Sequence, residues 1–253
     1  MSILSPPCIG SVAPTNNTVR CANLIATVAT VKNHYETTPG KTIGIYAAVL
    51  ISHALVNSFG VRVLRILNNV SIVLHSVGIT VLCIAVLAKA PTHQPASFVF
   101  GKFNDGSALE GADGWSIRAS PAYVALCGSL LSQYTLTGFD ASAHLSEETR
   151  NASWSAPIGV VSSVGFSALF GFFVLMSFLF SIQDFEATVG SIYLQPVLQI
   201  FVDVAGEDGA IAMFTLILVC VWHCGLFSMT SNSRMMFAFA RDGGIVSRPE
   251  AAY

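Results

Sequence analysis

Thr137-Gly138-Phe139-Asp140, inside the stretch Tyr134–Pro157 (YTLTGFDASAHLSEETRNASWSAP), is where this chain could hold a solute. An apolar run loses its hydrophobicity there, at a glycine followed by an aspartate. In hydrocarbon, freed carbonyls and amides are tolerated only against protein or a water-filled cavity. A helix opened at Gly138 would offer amides from one half-helix and carbonyls from the other to a small zwitterion or cation. Phe139 would cover that solute with an aromatic face. The other reading is a loosely packed helix end with Asp140 reaching the interface, and the residues alone leave both open. Glu147-Glu148-Thr149-Arg150 also reads two ways. It is a solvated interfacial turn, or a cytoplasmic gate whose carboxylates pair with a basic residue such as Arg234 or Arg241.

Other chemistry-bearing groups read as structural. Cys220, His223 and Cys224 share a helical face, but a metal site would need ligands from elsewhere, and core packing is expected. His144 with Glu147 and Glu148 lacks the second histidine of a zinc protease helix. His53 and His75 fall in the middle of apolar runs, where a histidine is a proton relay or a hydrogen-bonded packing residue; the second is expected. Neither a phosphate loop nor a nucleophile elbow is found, so no enzyme activity, metal or organic cofactor is expected.

The elements around these residues are membrane helices. The 253 residues are 53% apolar and 10% charged, against about 25% charged in soluble domains, and the mean hydropathy is +0.65. A net charge of −2 gives no reason to expect nucleic acid as a partner. The six cysteines are scattered, mostly within apolar runs, and read as small apolar fillers. Runs approaching the ~20 residues needed to cross a bilayer occupy residues 43–59, 68–88, 119–142, 158–182 and 210–231. Residues 1–20 read as an irregular segment and residues 246–253 as a tail. Cys21–Val31 is too short to span and looks like the tail of a longer helix. Gly60–Leu67, with Arg62 and Arg65 on one face, reads as a short interfacial link. The polar stretches 89–118 and 183–209 read as loops, the second with a short surface helix near 192–202. Ser167 and Gly171, with Gly165 and Ala168 nearby, form a small-residue face suited to close packing. The short segments rich in arginine belong in the cytoplasm, so odd-numbered spans run inward and even-numbered spans outward.

Two motifs carry a family resemblance. Thr137-Gly138-Phe139-Asp140 through Ala156-Pro157, and Thr230-Ser231-Asn232-Ser233-Arg234 through Arg241-Asp242-Gly243-Gly244, resemble the sixth helix and the loop after the eighth helix of amino acid permeases. The superfamily is the amino acid–polyamine–organocation group, with a fungal GABA and choline permease flavour. The resemblance covers residues 21–245. It implies an all-α polytopic membrane protein, part of an inverted-repeat (5+5) transporter fold with a broken sixth helix. The five spans would be helices four to eight, and Thr137, Gly138, Phe139 and Asp140 would sit at the break. Helix one, which carries half of the expected substrate site, would lie outside these residues, and Val246 stands where the family pattern has proline. Transport of amino acids or related amines by alternating access, coupled to a proton or sodium ion, is the implied activity. The alternative is a truncated membrane protein with no transport of its own. The implied partners are the lipid bilayer and a small amino acid or amine, in the plasma membrane or else a vacuolar or other internal membrane.

Overall fold

The computed structural model describes residues 6–33, 38–103, 119–129, 151–191, 193 and 195–241. Every regular element among them is helical: α1 (Pro6–Asn33), α2 (Pro39–Ser58), α3 (Val61–Val73), a π-helical turn (Leu74–Gly78), α4 (Ile79–Lys89), α5 (Ala96–Gly101), α6 (Pro121–Gly128), α7 (Ala152–Ser181), α8 (Phe185–Val189) and α9 (Pro196–Arg241). Four segments are long and apolar enough to cross a bilayer: Pro39–Ser58, Val61–Lys89, Ala152–Ser181 and Pro196–Arg241. The chain is an integral, multi-pass membrane protein.

Local chemistry sets the boundaries. Pro39 and Pro121 open α2 and α6, where the missing amide costs nothing. Asp184 caps α8, accepting from the amides of Glu186 and Ala187 at 2.9 and 3.1 Å. Gly60 (φ 93°, ψ 171°) divides α2 from α3, and Gly206 (φ 70°, ψ 177°) breaks the winding of α9. Both glycines hold a backbone conformation essentially closed to other residues.

Several boundaries differ from the sequence reading. Residues from Pro6 onward are helical rather than irregular. Beyond Asn16, where side chains are described, small α1 residues Thr18, Cys21, Ala22, Ala26 and Thr27 are buried, recurring about once per helical turn. Such a stripe lets helices approach closely and holds α1 against α9 despite its polar composition. Gly60–Leu67 is not a separate link, because α3 continues through the π turn into α4 as one rod. The second span therefore runs from Val61 to Lys89. Helix α7 starts five residues before Pro157, as membrane helices tolerate an internal proline. The expected surface helix near 192–202 is instead the first part of α9, and it is not on the surface: Leu198 and Phe201 are fully buried. Of the span expected at 119–142, residues 130–142 lie outside the described residues.

Side-chain contacts fix the helix directions. Trp222 donates to Ser52 at 3.1 Å and Thr230 to Asn57 at 2.7 Å, so α9 runs parallel to α2. Cys224 meets His75, and Leu216 lies against Gly78, so α3–α4 runs opposite to α9. Gln94 donates to the carbonyl of Ile182 at 2.9 Å, and Gln183 to that of Thr92 at 2.9 Å, tying the ends of α4 and α7 together. One end of the bundle thus gathers the ends of α4 and α7, helix α8 and the start of α9. The other gathers the end of α2, the start of α3 and the end of α9.

Charge follows this division. All five described carboxylates, Asp184, Glu186, Asp203, Glu207 and Asp208, are at the first end. Lys89 and Lys102 are there too, the latter 3.7 Å from the centre of the Phe185 ring. Arg62, Arg65, Arg234 and Arg241 are at the second. The main core lies toward the acidic end, where Phe201 meets Phe178 and Phe214 edge to face at 5.5 and 6.4 Å. Elsewhere large apolar side chains point outward, among them Ile51, Ile72, Val81, Phe166, Leu169 and Phe172. In water this would be untenable, but in hydrocarbon it is the expected surface.

Candidate functional site

A polar seam crosses the apolar bundle where α2 and the π turn face α9. Ser52, His53 and Asn57 come from α2, Ser71 and His75 from α3 and the π turn, and Trp222, Cys224 and Thr230 from α9. Ionisable and polar groups inside a membrane are functional candidates by default, since each needs a partner that lipid cannot supply.

His75 has both ring nitrogens engaged. Its Nδ1 lies 2.8 Å from the carbonyl oxygen of Ser71, with Ser71 Oγ at 3.2 Å. A carbonyl can only accept, so Nδ1 carries the proton and Nε2 presents its lone pair. That lone pair faces Cys224 Sγ at 3.4 Å, across the gap to α9. The ring sits inside the π turn, a distortion of winding frequent at functional sites. A thiol is a weak donor, so Nε2 remains the most available base in the seam.

His53 differs. It is fully buried, and neither of its ring nitrogens has a hydrogen-bond partner. Its ring packs on Trp222 with centroids 5.3 Å apart. The expectation of a hydrogen-bonded packing histidine holds for His75 and fails for His53, which packs without hydrogen bonds. The reason lies across the interface. Gly225 has no side chain, and a Cβ there would stand 2.6 Å from His53 Cε1, so the ring fills the space instead of reaching a polar group. Gly225→Ala is therefore expected to destabilise the α2–α9 contact by about 1–3 kcal/mol. His53→Ala in the same chain should recover most of that loss, as thermal unfolding in detergent would show. Additive effects of the two changes would contradict the contact.

His223 and Cys224 turn to different neighbours. His223 is buried and gives Nδ1–H to the carbonyl of Val219 at 2.9 Å. Among the described residues, no three His, Cys, Asp or Glu side chains gather around one point. Ser52, Asn57 and Ser71 were not singled out from sequence, and Thr230 was named only as the start of the second motif, not for this seam. The available signal is spacing: Ser71 and His75 are four apart, and Trp222 and Thr230 eight, so each pair shares a helix face.

Of the residues expected to form a solute site, Thr137, Gly138, Phe139 and Asp140 lie outside the described residues, as do Glu147 and Glu148. Arg234 and Arg241 are on the last turns of α9, seven positions apart and so on one face, Arg234 half-buried and Arg241 exposed.

Comparison with known proteins decides what this bundle belongs to. Residues 8–249 match the family described as amino acid permease. The chain belongs to the amino acid permease family. Curated relatives of this permease chain include the amino-acid permease BAT1 homolog of Oryza sativa subsp. japonica, 36% identical over 211 residues, covering 80% of this chain and 39% of that protein. Amino-acid permease BAT1 of Arabidopsis thaliana is 34% identical over 215 residues, covering 82% and 40%. The GABA-specific permease of Saccharomyces cerevisiae is 29% identical over 226 residues, covering 87% and 38%. The chain thus spans about two fifths of the length of these relatives. No solved structure matches.

Proposed function

We propose that this chain forms part of a secondary transporter that moves amino acids or related amines, such as GABA or choline, by alternating access. The observation that carries the reading is the family match over nearly the whole chain, with four apolar segments to support it. The GABA-specific relative supports the amine class. In this reading Thr137, Gly138, Phe139 and Asp140 hold the solute, and Glu147 and Glu148 close a gate against Arg234 and Arg241. The arginine-bearing end faces the cytoplasm, by the usual bias of basic residues, and the plasma membrane is the membrane concerned.

We assign the coupling ion as a proton and its place as His75 Nε2. Sodium is a hard cation bound through oxygens, whereas His75 and Cys224 offer nitrogen and sulfur. His75 Nε2, whose lone pair faces the gap to α9, is a place where a proton can be taken up and released. His75→Gln should leave counterflow exchange intact and lower accumulation driven by a pH gradient by about tenfold or more. Equal accumulation by wild type and His75→Gln, or accumulation driven by sodium instead, would remove the assignment.

Uptake of a broad panel of labelled amino acids and amines into proteoliposomes tests the larger reading. It is measured on the 253-residue chain and on any longer product of the same coding region. Uptake by neither would sink the transporter reading. Uptake only by a longer product would favour the second reading, a membrane chain without transport of its own, which the two-fifths coverage of its relatives supports.

A further inference from the structure

The arginine-bearing end carries a feature that transport does not use. Arg62 and Arg65 are both exposed on the first turns of α3 and, three apart, share one face. Neither makes an ion pair within the described residues, and no described carboxylate lies at that end. Large apolar side chains stand beside them: Phe59 at 70% exposure, Val61 at 70% and Ile66 at 58%.

Depth follows from length. The rod from Val61 to Lys89 has 29 residues, or about 43 Å at 1.5 Å per residue. The hydrocarbon core is only about 30 Å thick, and about 40–45 Å with its headgroup layers. Lys89 ends the rod at the acidic end, and Arg62 is 27 residues away from it, about 40 Å along the axis. The two arginines therefore stand at headgroup depth, with Phe59 in the turn just outside them, while Ile66, about one turn deeper, reaches the upper acyl chains.

We propose that Arg62 and Arg65, with Phe59 and Ile66 beside them, form a binding site for the headgroup of an anionic phospholipid. A guanidinium meets a phosphate through two parallel N–H···O bonds. The second arginine has no zwitterionic counterpart to satisfy it and selects a headgroup of net negative charge. The exposed apolar side chains give the attached acyl chains a surface to lie on. This site does not depend on whether the chain transports anything.

The test uses the full chain in phosphatidylcholine vesicles doped with photoactivatable phosphatidylserine or photoactivatable phosphatidylcholine. Labelling is mapped to the peptide carrying residues 59–66. Wild type should be labelled several-fold more by the serine lipid, and added salt should reduce the ratio. Arg62→Gln with Arg65→Gln should lower it by about fivefold per arginine engaged. Arg62→Lys with Arg65→Lys keeps the charge but loses the paired N–H···O bonds, so it should lower the ratio less than the glutamine pair while leaving it above one. With the salt series it decides the matter if the double glutamine chain fails to insert, since an unchanged ratio in the lysine chain would overturn the guanidinium site. Equal labelling of wild type by both lipids would overturn the proposal, as would an unchanged preference in the glutamine chain. A preference seen only after Glu147→Gln with Glu148→Gln would show that the chain's own acidic segment occupies the arginines, and loss of preference in millimolar inorganic phosphate would show a site for free phosphate. Either result also overturns it.

Discussion

A lysine placed at Gly171 should raise the apparent free energy of membrane insertion of α7 by about 2.5–3.5 kcal/mol. Gly171 lies near the middle of the apolar part of α7, about 20 Å from Ile158 and about 17 Å from Ile182 along the axis. A lysine so deep cannot carry its ammonium to either headgroup layer without distorting the bilayer. The described neighbours offer no relief, because the apolar window of α7 has no residue buried inside the molecule. The same substitution at Ser155, one turn into the helix, should cost far less, since its ammonium reaches the interface. A glycosylation-mapped insertion assay reads both. Equal costs at the two positions would mean that α7 does not lie across the bilayer in this register.

Phe201→Ala is expected to cost about 3–5 kcal/mol of folding stability. The ring is fully buried and stands edge to face between Phe178 of α7 and Phe214 of α9. It fastens the first part of α9, before the Gly206 break, to the spanning helices. Removing it leaves a void that these neighbours cannot close without moving α7. Phe172→Ala is the control, since its ring is 58% exposed and faces outward, and its effect should stay within about 0.5 kcal/mol. Unfolding of the two variants in mild detergent separates the cases. Similar losses for both would show that the aromatic row does not anchor the acidic end.

The same residues show how much of this was legible beforehand. Long apolar blocks announce α2, α3–α4, α7 and α9, because a bilayer sets a minimum length and selects against charge. Helix α1 is legible only in its second half, where 21–31 reads as the tail of a longer helix; the prolines and polar residues before Cys21 hide its first half. Only packing against α9 reveals a stripe of small residues. The acidic residues around 203–208 suggest an exposed connection, yet Leu198, Phe201 and Val204, at helical spacing in and just before that stretch, turn inward. His75 reads correctly as a hydrogen-bonded residue because Ser71 is one turn away on the same helix. His53 does not, because the absence that shapes its surroundings is the missing side chain of Gly225, 172 positions further along the chain.

The π turn has a consequence for the cationic end. Its wider winding takes up one residue more than an α-helix would need over the same rise. Each residue of an α-helix advances the chain by about 100° around the axis. The azimuth of Val61–Val73 is thus offset by roughly that angle from what unbroken coiling above Ile79 would give. The compass bearing of Arg62 and Arg65, and so which neighbouring lipid or helix they meet, is dictated roughly 14 Å away, at the point where His75 leans on Ser71.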